Sequence, residues 1–185
     1  MGRDRDPFDR TLESLRRRLV AHGPLQGAAL PVKSLALELG VSPTPVREAL
    51  SRLAGEGLVA RTASGYAGVI HDRQSLTELY QLASILAEAA ILHGAPLIPS
   101  VEATPLTTLA AVCPNRAIGS ILHLIQARLS AFADAEAIIM RDATILAAAL
   151  ETEASAPRRV RAVRQYFRRR ARSAGEIYRR AVARD

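Results

Sequence analysis

Thirty residues, Leu30 to Val59, constrain the fold of this chain more tightly than any other stretch; they read LPVKSLALELGVSPTPVREALSRLAGEGLV. Apolar residues recur at helical spacing twice, as Leu35, Ala36 and Leu39 and again as Val46, Leu50 and Leu53, which predicts two short amphipathic helices. Between them Gly40 stands where a helix ends in the left-handed region, Val41 can plug the core between the helices, and Ser42 offers a side-chain oxygen as N-cap. Two such helices joined by so sharp a turn form a helix-turn-helix.

The second helix carries the chemistry. Pro43 and Pro45 fall in its first turn, where amide hydrogens have no intrahelical partner and a fixed φ favours initiation. Arg47 falls there too, although a helix N-terminus already carries partial positive charge; an anion would resolve that conflict. Helical spacing gathers Thr44, Arg47, Glu48 and Ser51 on the face opposite Val46, Leu50 and Leu53. The apolar side docks inward, and the polar side presents itself to a partner. A DNA major groove offers both phosphates and guanine acceptors to such a surface.

The same residues resemble a known family. The run GVS, one residue, TPVREAL, two residues, L, three residues, GLV, followed by a turn and GYAGVI, closely resembles the winged helix-turn-helix of the GntR superfamily of bacterial transcription regulators over roughly residues 11 to 70. The resemblance implies that Lys33 and Arg47, at positions the family keeps basic, contact DNA. It departs at Pro43, where relatives commonly carry a basic residue that touches DNA.

A chain of 185 residues, 49% apolar, is one large or two small domains with enough apolar material for a core. Glu78 and Glu88 interrupt the richest apolar region and MGRDRDPFDR lacks an apolar signal core, so no membrane segment is expected and the expected location is the cytoplasm. A single cysteine, Cys113, forms no internal disulfide and reads as a small buried hydrophobe. Net charge is +7, but residues 1–72 hold 10 basic and 8 acidic groups, residues 73–157 hold 4 and 8, and residues 158–185 hold 11 and 2. The excess lies in the last helix. Overall basicity is therefore no evidence for DNA binding by the helix-turn-helix, and that reading rests on local pattern.

Residues 11–22 read as a first helix with Leu12, Leu15, Leu19 and Val20 inward and Arg16, Arg17 and Arg18 on a solvated face that could reach a phosphate backbone. Past Gly55 and Gly57 the chain alternates around a Ser64–Gly65 turn, a β-hairpin wing. Gly65 at its tip would let the backbone approach a minor groove and Arg61 would meet phosphate or groove; an ordinary exposed hairpin is the alternative. From Ser75 strand signals vanish. Ser75 as N-cap and Glu78 three residues later read as a capping box for a helix ending near Gly94. Further helices are expected at about 101–112, 115–132, 134–152 and 157–182, forming an antiparallel bundle joined at roughly His71 to Gln74. The expected domains are 1–72, winged helix-turn-helix, and 73–185, helical.

This second region is similar, more weakly, to the effector-binding domain of the FadR-like branch of that superfamily. SLTELYQLASILAEAA resembles its opening helix, with Ala83 in place of the usual arginine, and VEATPLTTLAAVCPNRAIGSILHLI, RDATILAAAL and VRQYF resemble the segments that carry metal ligands. The positions that match the ligands hold Glu102, Leu106, Asp142 and Tyr166, a set with no histidine, so no metal or other cofactor is expected. His22, His71, His93 and His123 lie on different elements and read as structural. The last helix has an inner stripe of Val160, Val163, Phe167, Ala171, Ala174, Tyr178 and Ala181, with arginines elsewhere. Three readings are open for those arginines: a solvated surface, which is preferred because charge runs are usually solvated, an acidic ligand or partner site, or an auxiliary DNA backbone contact.

The expected fold is mainly α. The resemblance implies a transcriptional repressor that binds an inverted-repeat operator in double-stranded DNA as a homodimer, tuned by a small-molecule effector in the helical domain. The alternatives are a dimeric regulator without effector sensing and a winged-helix protein-interaction module. The candidate DNA contacts are Lys33, Ser42, Thr44, Arg47, Ser51, Arg61 and Gly65. No nucleophile with its base, paired carboxylates or phosphate loop points to an enzyme.

Overall fold

The computed structural model describes residues 6–96, 105–140 and 155–183. It divides into two compact units, Met1–His71 and Asp72–Asp185. The fold is mainly helical with one two-stranded antiparallel sheet, as expected from the sequence.

The first unit comprises α1 (Pro7–Ala21), α2 (Val32–Leu39), α3 (Pro43–Gly55), β1 (Val59–Thr62) and β2 (Gly65–Gly68). α1 starts four residues before the expected Thr11, because Asp6 caps it by accepting the Phe8 N–H at 3.0 Å and Pro7 occupies its first position. The inward face also differs from expectation. Val20 is 44% exposed and Thr11 is buried instead, its hydroxyl donating to the Pro7 carbonyl at 2.7 Å. α2 ends at Gly40 with φ +64°, where the Val41 N–H returns to the Ala36 carbonyl at 3.0 Å. Leu15, Leu30, Leu35, Ala36, Val46, Ala49, Leu50, Leu53 and Val59 form the core, and Val41 packs against it from the turn.

The hairpin pairs Val59 with Gly68 and Thr62 with Gly65. The turn is therefore Ala63–Ser64, and Gly65 opens β2 where the sequence pattern puts it at the tip. Ala63 and Ser64 keep negative φ, so the left-handed residue that bends the chain back is Gly65, at φ +131°. The segment before α2 docks on this hairpin: the Leu30 N–H donates to Tyr66 O at 2.8 Å and the Gly68 N–H to Ala28 O at 2.9 Å.

The second unit comprises α4 (Arg73–Leu92), α5 (Pro105–Val112), α6 (Arg116–Leu129), a 3-10 turn (Ser130–Phe132), α7 (Ala133–Met140) and α8 (Ala156–Val182). The N-cap of α4 is Asp72 and not Ser75. The Asp72 carboxylate accepts the Ser75 N–H at 2.7 Å while the Ser75 hydroxyl accepts the Asp72 N–H at 2.9 Å, which puts Ser75 at the third helical position. Glu78 instead accepts from Gln74 at 3.0 Å. Arg73, at the start of α4, lies against Gly175 late in α8, and Glu88 late in α4 pairs at 2.6 Å with Arg164 early in α8. The two helices thus run antiparallel. Leu76, Tyr80, Ala83, Ala87, Leu109, Leu122, Phe132, Val163, Phe167, Ala174 and Ile177 fill the space among the helices, with Cys113 buried beside them. No helix among the described residues is long and apolar enough to cross a membrane.

Candidate nucleic-acid interface

α3 is divided lengthwise as its spacing predicts. Val46, Ala49, Leu50 and Leu53 are fully buried, and Thr44, Arg47 and Glu48 are exposed. Lys33, near the start of α2, is exposed as well. The side chains of Lys33, Thr44, Arg47 and Glu48 make no hydrogen bond or ion pair with any described residue.

That freedom is selective. Arg16 on α1 donates to Glu56 at 2.6 Å, Arg52 on α3 donates to the same carboxylate at 2.9 Å, and Arg18 pairs with Glu38 on α2. The run Arg16–Arg18, read as a solvated face, therefore supplies two ties between helices. No local sequence signal marks them, since Arg16 and Glu56 are 40 residues apart. These cations hold helices together, while Lys33 and Arg47 remain available to a partner.

Ser42 stands at the N-cap of α3 with φ −70° and ψ 160°, but its side chain accepts no capping hydrogen bond, contrary to the sequence reading. A capping oxygen accepts from the second or third helical amide, and the third residue, Pro45, has no N–H, which leaves Thr44 as the one such donor. Among Ser42 and the first three helical residues only Ser42 and Thr44 carry amide hydrogens. Those amides, the hydroxyls of Ser42 and Thr44, and Arg47 as fifth helical residue all belong to the opening turns of α3, whose positive end suits an anion.

The wing is tied to the same surface. The Arg61 guanidinium donates to the Ser51 hydroxyl and lies 5.9 Å from the Tyr66 ring centroid. Arg61 and Ser51 are thus joined, so Ser51 serves to orient Arg61 on the surface, and the wing cation is fixed beside the recognition face. Gly65 is exposed, with nothing within 4 Å of where a Cβ would lie.

In the helical unit, two of the four positions that the resemblance linked to metal ligands are among the described residues, and neither fits a metal. Leu106 is buried hydrocarbon, and Glu102 and Asp142 lie outside the described residues. The Tyr166 ring is covered by the Arg170 guanidinium, whose central carbon is 3.2 Å from the ring centroid. Arg170 also pairs through Nε with Glu136, which accepts the Tyr80 hydroxyl at 2.9 Å and the Tyr166 hydroxyl at 3.4 Å. Burial, together with the Glu136 charge, pushes the Tyr80 phenol well above its ordinary pKa. The positive charge in this core is a guanidinium. No three or more His, Cys, Asp or Glu side chains converge among the described residues. His22, His93 and His123 are exposed, and His71 is buried, with its backbone N–H and carbonyl both held by the Gln26 side chain.

Residues 8–65 match the family described as bacterial regulatory proteins, gntR family. Over 58 residues, 31% of this chain, the sequence is 41% identical to the Nta operon transcriptional regulator of Aminobacter aminovorans, and the match spans 28% of that protein's length. Two solved structures are similar across nearly the whole chain. McbR/YncC of E. coli shares 17% identity at a TM-score of 0.65, covering 92% of this chain and 98% of the other. A putative GntR transcriptional regulator from Rhodococcus sp. RHA1 shares 20% identity at a TM-score of 0.70, covering 90% and 96%. The N-terminal segment is thus of gntR type, and the fold of both units is that of these two structures. The Aminobacter protein is named a transcriptional regulator and the Rhodococcus protein a putative one.

Proposed function

We propose that this chain, whose residues 8–65 are of the gntR family, is a cytoplasmic transcriptional repressor that binds an inverted-repeat operator as a homodimer. Residues 1–72 read the DNA, and residues 73–185 pair the protomers and hold a small-molecule effector that modulates the affinity. The observation that carries the reading is the pair of exposed, unpartnered side chains Thr44 and Arg47, on a helix that begins at Ser42 and whose opposite side is fully buried, together with exposed Lys33 on α2. Arg61, held by Ser51, extends that set onto the wing. A homodimer follows from the physics of readout, since one recognition helix contacts only a few base pairs and two-fold pairing doubles the site.

Fluorescence anisotropy on an operator selected from random double-stranded DNA tests the reading. Arg47→Ala should weaken binding by about 1–3 kcal/mol, roughly 5- to 150-fold, with an unchanged melting temperature. The intact palindrome should take two protomers and bind more tightly than an isolated half-site. A protein with no affinity for any duplex would instead be a protein-interaction module.

One observation favours a second reading, a dimeric regulator that senses no small molecule. The core around Tyr166 is already filled by Glu136 and the Arg170 guanidinium.

A further inference from the structure

α8 holds ten arginines and one acid, Glu176. Its arginines divide into groups that their spacing in sequence did not separate. Arg159 and Arg170 are buried, 6% and 2% exposed. Arg164 is engaged by Glu88. Arg158, Arg161, Arg168, Arg172, Arg179 and Arg180 are exposed and have no hydrogen-bond or ion-pair partner on their side chains among the described residues. Arg161, Arg168, Arg172 and Arg179 recur at steps of seven, four and seven residues, which lays them along one line of the helix about 27 Å long at 1.5 Å per residue.

A face that needed only solvation would gain from mixed signs, because opposite charges four residues apart support a helix and like charges oppose it. Here Arg164, Arg168, Arg172 and Arg180 stand in one series at that spacing with a single carboxylate, Glu176, among them. The same row is unsuited to a second copy of this chain, since a two-fold contact sets the same patch against itself and would oppose arginine to arginine. A row of four planar guanidinium forks, with Glu176 the one acid near it, fits a polyanion of regular phosphates, which each fork can grip through two hydrogen bonds. Duplex DNA carries one charge per about 1.7 Å of axis, dense enough to face the whole row.

We propose that the outer face of α8 is a second, sequence-independent contact to the phosphate backbone of the DNA. This inference rests on the DNA-binding reading of the first unit. Sequence would be read by α3 and its wing, and α8 would add salt-dependent affinity that is the same on every duplex.

The test uses the full chain carrying Arg161→Gln, Arg168→Gln, Arg172→Gln and Arg179→Gln together, all at exposed positions, with circular dichroism and melting to show that the fold is kept. Binding to operator and to random duplex is measured between about 50 and 200 mM salt. The slope of log affinity against log salt should fall by ~0.9 for each phosphate that the protein no longer neutralises, by at least ~1.8 if two or more of the four arginines engage, and by the same amount on both duplexes. A slope unchanged in this variant, while Arg47→Ala still weakens operator binding, overturns the inference and leaves the reading of the first unit standing. If the unaltered protein binds no duplex, both fall. An unchanged slope with polyglutamate binding that requires the four arginines assigns the face to an acidic protein and likewise overturns the proposal.

Discussion

Removing the Glu136 carboxylate should unfold the helical unit well before it disturbs the DNA-reading unit. The Arg170 side chain is 3% exposed and that of Glu136 17% exposed, and Glu136 also accepts the buried Tyr80 hydroxyl at 2.9 Å. Deleting one member of a buried ion pair costs about 3–5 kcal/mol, because the desolvated charge loses its counter-ion, and orphaning a buried hydroxyl adds about 1–3 kcal/mol. Two features hold Glu136→Ala to the lower end. Water reaches the Glu136 side, and Arg170 keeps its place over the Tyr166 ring and its 3.4 Å bond to the Tyr166 carbonyl. The expected loss is about 4 kcal/mol, or about 16 °C of melting temperature for a unit of roughly a hundred residues. Far-UV circular dichroism follows it, since the unit is mainly helical over its described residues. Replacing both partners, as Glu136→Leu with Arg170→Met, should restore part of the loss, because no desolvated charge remains. If Glu136→Ala melts within about 2 °C of the unaltered protein, the cluster contributes nothing and the reasoning is refuted.

Two further outcomes follow from single positions. An alanine at Gly68 would overlap the Leu25 Cβ and approach that residue's backbone carbons to 3.1 Å, so Gly68→Ala should cost about 1–3 kcal/mol in urea unfolding and displace the wing; unchanged stability would show that the segment before α2 is free to move aside. Burial favours the neutral form of the Glu88 carboxyl, yet hydrogen bonds from Arg164 at 2.6 Å and the Ser84 hydroxyl at 2.9 Å hold it below its ordinary 4.5. A carboxyl depressed in the folded state adds stability above that value and loses it as pH falls through the folded pKa, so the advantage of the unaltered protein over Glu88→Gln should shrink below about pH 4.5; melting curves that stay parallel down to pH 3 would contradict this.

The first unit was largely legible because its information is local. The stripe Val46, Leu50 and Leu53, the left-handed Gly40 and the exposed Thr44 and Arg47 are all set by spacing within one or two turns. The misreadings there are local as well. Ser42 has the residue type of a cap but makes no capping bond, and Pro45 removes one of the two amides that it could have bound. Glycine marks turns, which argues for Gly65 at the tip, whereas the register shifts the two-residue loop to Ala63–Ser64 and leaves Gly65 to close it. Asp6 and Pro7 are an ordinary helix start, but they stand before the apolar repeat that sets the expected boundary.

The helical unit was harder to read because residue type and residue position disagree in α8. Stepping by three or four from Val163 and Phe167 reaches Arg159 and Arg170 as well as Ala174 and Ile177, so spacing permits both arginines an inward place without requiring it. Arginine is rarely buried unless paired, and its type argued for the surface. Whether position wins depends on partners that local sequence does not reveal. Arg159 donates to the carbonyls of Ala95 at 3.0 Å and Pro96 at 2.9 Å, 64 and 63 residues away. Those carbonyls follow the C-terminal end of α4, whose partial negative charge suits a guanidinium. Burial still lowers the Arg159 pKa, and its Nε has no acceptor, so the residue stays charged at a cost borne by the packing of α4 on α8. Arg170 is accepted by Glu136 on α7, a helix whose carboxylate faces inward only because Tyr80 and Arg170 are there to meet it. The two arginines mark where long-range contacts decide the core, and the outward row that remains is the part of α8 free to act on something else.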